Sequence, residues 1–364
     1  MAPTAHRKSF LSVITLSVLA FLLGCDPFHT QFNDSEKAQL YSASQIIAPA
    51  PPGPRLLIMD WNVKFGGGRI DFFFDCHGDE VLMTKSEVIS NLQGLAEKIR
   101  QVDPDILLIQ EVDTLSKRCA YVNQVKWLLD NTELNYAAYA SQWKADYVPS
   151  DGIGRVNSGN AILSKYPILS AHRTALPLIS EDDALTQYFY LKRNILTAVI
   201  DVGGRELTVI NTHTSAYSHD GTKKQQIDIL QEHMVETDSQ SRLFVAGGDL
   251  NTLPPGTLKQ WDFPDSVCTD EAFQADDYRD ESDWLTPLYN DWDAAIPLVD
   301  YQADNSLYLT HTTDSGGFWN RKLDYLFTNG IFVNGMIHQD TSHGGMETMP
   351  LSDHAPLTVE LELP

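Results

Sequence analysis

Residues 242–252 read RLFVAGGDLNT, and this stretch indicates the fold more clearly than any other part of the chain. Its first half is an apolar, β-prone run with the length of a buried strand. The run passes through two glycines and ends in Asp249 and Asn251. A strand that is covered on both faces has little reason to end in polar side chains. We therefore interpret Asp249 and Asn251 as candidate site residues at the edge of a sheet.

Five other apolar runs adjoin polar residues in the same way. They are MDWNV at 59–63, LIQEV at 108–112, INTH at 210–213, LDYLF at 323–327 and LSDHAP at 351–356. Apolar periodicity predicts strands at 55–59, 105–109, 160–164, 194–202, 206–211, 242–246, 323–327 and 356–361, and helices at 86–102, with Ser86 as the N-cap, and at 222–237. This pattern predicts an α/β domain in which helices cover sheets.

The order of these motifs resembles that of the endonuclease/exonuclease/phosphatase superfamily over residues 56–362. The segment NSGNAILS at 157–164 also looks like an element of that superfamily. The resemblance implies a four-layer α-β-β-α sandwich with two mainly antiparallel sheets and a metal site at one end. It also implies a metal-dependent phosphoester hydrolase, with Mg²⁺ as the expected ion and Mn²⁺ or Ca²⁺ as alternatives.

The resemblance implies a role for each polar residue at these strand ends. Glu111 would bind the metal with Asn62 beside it, since hard cations prefer carboxylate and amide oxygen. Asp353 would be a further carboxylate that binds metal or orients water. Two more residues would bind substrate, namely Asn211, which supports its neighbours, and Asn160, for which a turn asparagine is the alternative.

Three further roles concern the reacting groups. His354 would pair with Asp324 as an acid/base dyad, because the carboxylate fixes the imidazole tautomer and raises its basicity. Asp249 and Asn251 would hold the attacking water and contact the phosphoryl group, and His213 would donate a hydrogen bond to a phosphate oxygen.

Four kinds of function remain open on this basis. A phosphodiesterase that acts on lipid head groups or small phosphodiesters is the leading hypothesis, followed by an extracytoplasmic nuclease and then a phosphomonoesterase. A catalytically silent binding protein of the same fold would lack site residues, yet all of them are present. The net charge of −23 disfavours tight binding to duplex nucleic acid. A monomer is the default expectation.

The first residues indicate export from the cytoplasm. His6, Arg7 and Lys8 precede an uncharged stretch at 9–23, and the sequence LLGC follows at 22–25. This resembles a bacterial lipoprotein signal, so we expect a signal peptide at 1–24 and a lipid on Cys25; an uncleaved anchor or ordinary secretion are the alternatives. We expect an envelope location facing the periplasm or the outside, with Asp26 slightly favouring the inner membrane.

The remaining segments give weaker expectations. The Pro-rich composition near residue 50 predicts that 25–54 is an extended tether, so that 55–364 forms the domain. Of the other cysteines, Cys76 and Cys119 are the expected disulfide pair, or all three, including Cys268, are small buried hydrophobes. Phe72, Phe73 and Phe74 are candidate membrane contacts or core residues. The acidic, aromatic stretch at 261–309 is expected to lie on the surface.

Overall fold

The structure, a computed structural model, describes residues 26–76, 78–269, 276–340 and 347–364. The predicted signal peptide and the predicted lipidation site at Cys25 lie outside these ranges. No helix in the described ranges is long and apolar enough to span a membrane.

Two seven-stranded sheets form the centre of the molecule. In spatial order, sheet I contains β1 (Ser35–Lys37), β7 (Ile168–Ala175), β8 (Asn194–Asp201), β9 (Glu206–His213), β10 (Phe244–Asp249), β12 (Asp324–Thr328) and β11 (Asp293–Ala294). Sheet II contains, in the same way, β13 (Phe332–Ile337), β14 (Leu357–Glu362), β3 (Arg55–Asn62), β4 (Ile106–Asp113), β6 (Gly154–Ser164), β5 (Tyr136–Val148) and β2 (Gln39–Ser42). Only the β3–β4 and β9–β10 pairs are parallel among these described strands. The predicted mainly antiparallel arrangement is therefore confirmed.

Six helices accompany the sheets in the described ranges. They are α1 (Lys85–Val102), α2 (Gln124–Asn131), α3 (Ala184–Phe189), α4 (Thr222–Ser239), α5 (Thr286–Asp291) and α6 (Leu298–Ala303). Helix α1 begins at Lys85, two residues before the start that a Ser86 cap predicts. Its N-cap is Thr84, whose hydroxyl accepts from the backbone N–H of Glu87, while the Glu87 carboxylate accepts from the backbone N–H of Thr84.

Side-chain alternation along the strands builds three apolar layers. Ile58 and Leu108 of sheet II face Leu196 and Val245 of sheet I, and these residues form the core between the sheets. The neighbouring residues on the same strands point outward. They pack against α1 and α2 on sheet II and against α4 and α5 on sheet I. The predicted four-layer α-β-β-α sandwich is confirmed.

Two predictions outside the central strands need correction. The segment predicted as a tether contributes β1 and β2, which extend opposite sheets as edge strands. The predicted surface stretch buries Leu285, Leu288 and Tyr301. Polar residues concealed the two edge strands, because such a strand needs only one apolar face.

The disulfide prediction is also wrong. Cys76 is bonded to Cys268, with 5.8 Å between their Cα atoms, and Cys119 is a free, buried thiol. The bonded pair is 192 residues apart in the sequence, so only the fold brings it together. The Sγ of Cys119 instead lies 3.1 Å from a carboxylate oxygen of Asp113.

Candidate active site

The predicted site residues converge at one end of the sandwich. Asn62, His213 and Asp249 are the last residues of β3, β9 and β10, while Asp324 is the first residue of β12. The two parallel strand pairs end at the same edge, and the antiparallel strands begin there. Strand ends that were distant in the sequence therefore surround one cavity.

A break in strand β4 turns Glu111 toward this cavity. The register of β4 against β6 shifts between Ile109 and Val112, and the backbone of Glu111 has a φ of 55°. A bulge of this kind re-aims a side chain that would otherwise point into a packed layer. Asn62 then joins Glu111 to the opposite sheet, since its Nδ2 donates to Glu111 Oε1 at 3.3 Å and to Asp249 Oδ2 at 3.0 Å.

His354 and Asp324 form the predicted dyad. Nδ1 of His354 lies 2.9 Å from Asp324 Oδ2, and its Nε2 lies 3.6 Å from Asp249 Oδ2. Burial disfavours the charged ring, but the carboxylates of Asp324 and Asp249 outweigh that effect and raise the pKa of His354 to about 10. The ring is therefore an imidazolium at neutral pH, and its Nε2–H points at the centre of the site.

His213 is a neutral imidazole in the same cavity. Its Nε2 lies 3.4 Å from Asp249 Oδ2, and its Nδ1 lies 3.9 Å from Glu111 Oε1. Burial, reinforced by the charges of Arg193 and His354, holds the pKa of His213 well below its ordinary value. A neutral imidazole still carries one N–H, so this position fits the predicted hydrogen-bond donor to phosphate.

Asp249 and Asn251 form a short hooked turn after β10. The backbone N–H of Asn251 donates to Asp249 Oδ1 at 3.0 Å, and its side-chain Nδ2 donates to the Thr214 carbonyl at 3.1 Å. Asn251 has a φ of 48°, which asparagine tolerates better than most residues. Burial raises the pKa of Asp249 to about 7, with Asp324 adding to the effect and His354 opposing it.

Two residues predicted to bind substrate lie beneath the cavity. Asn211 is fully buried and joins the sheets, since its Nδ2 donates to the carbonyls of Ile109 and Ala161 and its Oδ1 accepts from Gln110. Its hydrogen-bonding groups are engaged in packing, so its position fits a supporting role and not direct contact with substrate. Asn160 is also buried, but neither polar atom of its side chain has a partner within the described ranges.

The structure adds residues that the sequence motifs did not reveal. Lys64 is buried beside Asp75, at 3.0 Å, and Asp353, at 3.9 Å. The ring of His311 lies 4.4 Å from that of His354, and Arg193 lines the cavity beside Glu111 and His213. Each is a single polar residue outside the quoted motifs, so only the folded chain identifies it.

The cavity has a volume of about 520 Å³. Its floor carries Glu111, Asp249, His213 and His354, and half-exposed aromatic side chains stand at its rim. Those side chains are Phe73, Phe74, Tyr190 and Tyr217. A second cavity of about 400 Å³ shares with it the wall formed by residues 190, 191, 193, 216 and 217.

The donor set fits a hard divalent cation. Burial raises the pKa of Glu111, and the negative charge of Asp353 adds to the effect. The ionised carboxylate of Glu111 is therefore destabilised in the absence of a cation. Among the described residues, two groups place three candidate ligand atoms within 4.8 Å of one another, and both include His354 of the dyad: Asp249–Asp324–His354 and His311–Asp353–His354. Nδ1 of His354 is engaged by Asp324, so the carboxylates of Glu111 and Asp249 are the better donors for a hard cation.

Comparisons with known proteins agree with this geometry. A sequence model of the Endonuclease/Exonuclease/phosphatase family matches residues 61–354. One similar solved structure is the endonuclease/exonuclease/phosphatase from Beutenbergia cavernae DSM 12333, at 18% identity and TM-score 0.50, over 85% of this chain and 72% of that chain. Another is the endonuclease/exonuclease/phosphatase from Bacteroides vulgatus, at 14% identity and TM-score 0.52, over 85% of this chain and 99% of that chain. The human Nocturnin catalytic domain with bound sulfate anion is similar too, at 15% identity and TM-score 0.50, over 89% of this chain and 97% of that one. No curated protein sequence matches the chain.

Likeness to solved structures at such low identity shows the fold alone, whereas the family match spans most of the chain, from Asn62 at the end of β3 to His354. The fold and the site together define a hydrolytic enzyme of the α-β-β-α sandwich class. The chain belongs to the Endonuclease/Exonuclease/phosphatase family, and its general reaction is phosphoester hydrolysis.

Proposed function

We propose that the chain is a Mg²⁺-dependent phosphodiesterase that acts on lipid head groups or small phosphodiesters at the bacterial cell envelope. The observation that carries this proposal is the pairing of an acidic, histidine-containing floor with an aromatic rim in one cavity. The floor suits a phosphate, and the rim suits apolar groups attached to it. A volume of about 520 Å³ leaves room for substituents on both sides of the phosphate.

Glu111 and Asp249 would hold the cation, with Asn62 fixing the position of both carboxylates. When bound, a divalent cation withdraws charge from phosphate oxygens and lowers the pKa of a bound water. The Nε2–H of charged His354 would donate to a phosphate oxygen, and the neutral His213 would donate from a second direction. Asp249 and Asn251 would orient the water that attacks phosphorus.

The envelope location rests on two observations. The N-terminal sequence resembles a lipoprotein signal, and the Cys76–Cys268 bond suits an oxidising compartment. A lipid tether would keep the cavity close to a membrane, so that enzyme and lipid substrate share one surface. Phe73 and Phe74 are then the side chains best placed to contact it, whereas Phe72 is buried in the core beside α1.

The test compares a bilayer lipid with a soluble diester. The double variant Phe73→Ser/Phe74→Ser should lose turnover of phosphatidylethanolamine and phosphatidylglycerol vesicles and keep turnover of bis(p-nitrophenyl) phosphate. Ile331→Ser is the matched control, because Ile331 is exposed and lies at the far end of β12 from the site. Equal loss on both substrates would contradict membrane contact, and faster turnover of single-stranded DNA than of any lipid would favour the nuclease.

A further inference from the structure

Three arginines line the main cavity, and they differ in how their charge is balanced. Arg118 forms two hydrogen bonds with Asp113, at 2.8 and 2.9 Å. Arg321 lies between Asp265, at 2.7 Å, and Asp276, at 3.0 Å. Both guanidinium groups are therefore neutralised by carboxylates and hold the cavity wall together.

Arg193 has no such carboxylate in the described part of the chain. Its side chain makes one hydrogen bond there, from Nη1 to Gln142 Oε1 at 3.2 Å, although the residue is only 7% exposed. A buried cation that is not ion-paired is costly unless a ligand completes its hydrogen bonds. Burial lowers the pKa of Arg193, while Glu111 opposes that effect through space, so the guanidinium stays charged.

The position of Arg193 indicates what that ligand is. The residue directly precedes β8 and lies on the wall shared by the two cavities, close enough to Glu111 and His213 to affect their charges. These two residues face the place where the phosphate would bind. A planar guanidinium matches the spacing of phosphate oxygens and can donate two hydrogen bonds to them.

We infer that Arg193 binds the substrate phosphate, through a non-bridging oxygen, and directs one substituent of the phosphodiester into the side cavity. This inference rests on the proposed phosphodiesterase activity of the same site. Gln142 is the positioning residue, since it accepts a hydrogen bond from Nη1 of Arg193, and Arg193 lines the cavity.

Two measurements on the full chain test the inference. Arg193→Ala should weaken binding of inorganic phosphate in calorimetry with Mg²⁺ present, and should reduce kcat/KM for bis(p-nitrophenyl) phosphate roughly 10- to 100-fold, the size expected for a charge-assisted hydrogen bond. Added guanidinium should restore part of the turnover of Arg193→Ala and leave the wild-type chain unchanged. Gln142→Ala should raise KM with a smaller change in kcat.

The controls separate binding from folding and from the proposed function. Arg155→Ala removes an exposed arginine and should match the wild type in every assay. Arg193→Lys keeps the charge, so it should fold as the wild type does and retain an intermediate affinity. Unchanged phosphate affinity and turnover in Arg193→Ala would overturn the inference, as would a wild-type chain that binds no phosphate. Phosphate binding that depends on Arg193, without diester turnover, would overturn only the phosphodiesterase proposal.

Discussion

Nδ1 of His354 lies 2.9 Å from Oδ2 of Asp324, so the imidazolium ring is fixed with its other N–H toward Asp249. The two residues come from different sheets, since Asp324 begins β12 of sheet I and His354 precedes β14 of sheet II. The dyad therefore depends on how the two sheets pack. Its orientation determines which ring atom faces the substrate.

Asp324→Asn should reduce kcat roughly 10²- to 10⁴-fold while KM changes little. The substitution keeps the shape of the side chain but removes the charge that stabilises the imidazolium and fixes its tautomer. Steady-state kinetics with saturating Mg²⁺ measure the effect. Asp34→Asn, at an exposed aspartate, is the matched control. Activity of Asp324→Asn within twofold of the control would exclude the dyad from catalysis.

Gly248→Ala should destabilise the fold by more than about 3 kcal/mol or prevent folding. Gly248 has a φ of 125°, and an added Cβ would overlap the Thr212 carbonyl oxygen and lie 3.0 Å from Asn211 Oδ1. Urea unfolding measures the loss. Gly53→Ala is the control, because its added Cβ would lie 3.8 Å from its nearest non-adjacent neighbour, the carbonyl oxygen of Arg55. Its free energy of unfolding should stay within about 0.5 kcal/mol of the wild type. Similar urea midpoints for Gly248→Ala and Gly53→Ala would contradict the close packing of Gly248 against β9.

Reduction of the Cys76–Cys268 bond should lower the free energy of unfolding by about 2–4 kcal/mol. The bond joins Cys76, which lines the cavity, to a residue 192 positions later, so it closes a long loop of the unfolded chain. The double variant Cys76→Ser/Cys268→Ser should be equally destabilised and insensitive to reductant. Peptide mapping that finds Cys76 joined to Cys119 would contradict the observed pairing.

His338→Gln should make the chain more resistant to acid. Burial lowers the pKa of His338 to about 4, and its Nε2 lies 2.8 Å from Thr358 Oγ1. The unfolded chain binds this proton near pH 6.5 and the folded chain near pH 4, so stability falls as the pH drops between those values. At pH 4, protonation of His338 in the unfolded chain lowers the free energy of unfolding by on the order of 3 kcal/mol, since one pKa unit corresponds to about 1.4 kcal/mol.

The measurement is the difference in unfolding free energy between the wild type and His338→Gln from pH 7.5 to pH 4. The difference should change steadily in favour of the variant below pH 6.5. A constant difference across this range would show that His338 does not contribute to acid sensitivity.

The sequence predicted the central strands, and the polar residues at their ends converge as expected, for a physical reason. Strands such as β3, β4 and β10 are covered on both faces, so they are apolar throughout and stand out from their surroundings. Polar residues at their ends then mark the site directly. Strand β5 was missed because Gln142, Lys144 and Asp146 interrupt its apolar residues, which is typical of a strand with one partly exposed face.

Other features could not be read from the sequence because they depend on long-range packing. The partner of Cys76 lies 192 residues away, and Arg193 resembles any other arginine until its neighbours are known. The role of Asn211 illustrates the same limit. Asn211 lies two positions before the end of β9 and was predicted to support substrate binding, and its side chain joins the two sheets beneath the cavity.

The most direct test of the central claim is hydrolysis of bis(p-nitrophenyl) phosphate by the full chain with Mg²⁺, Mn²⁺, Ca²⁺ or a chelator. Glu111→Ala and His354→Ala are measured beside the wild type, with Asp34→Asn as the control. We expect turnover that a chelator abolishes, that Mg²⁺ restores, and that both site substitutions reduce at least about 100-fold. A folded wild-type chain that hydrolyses neither this diester, nor phosphomonoesters, nor DNA would contradict the account and indicate a binding protein.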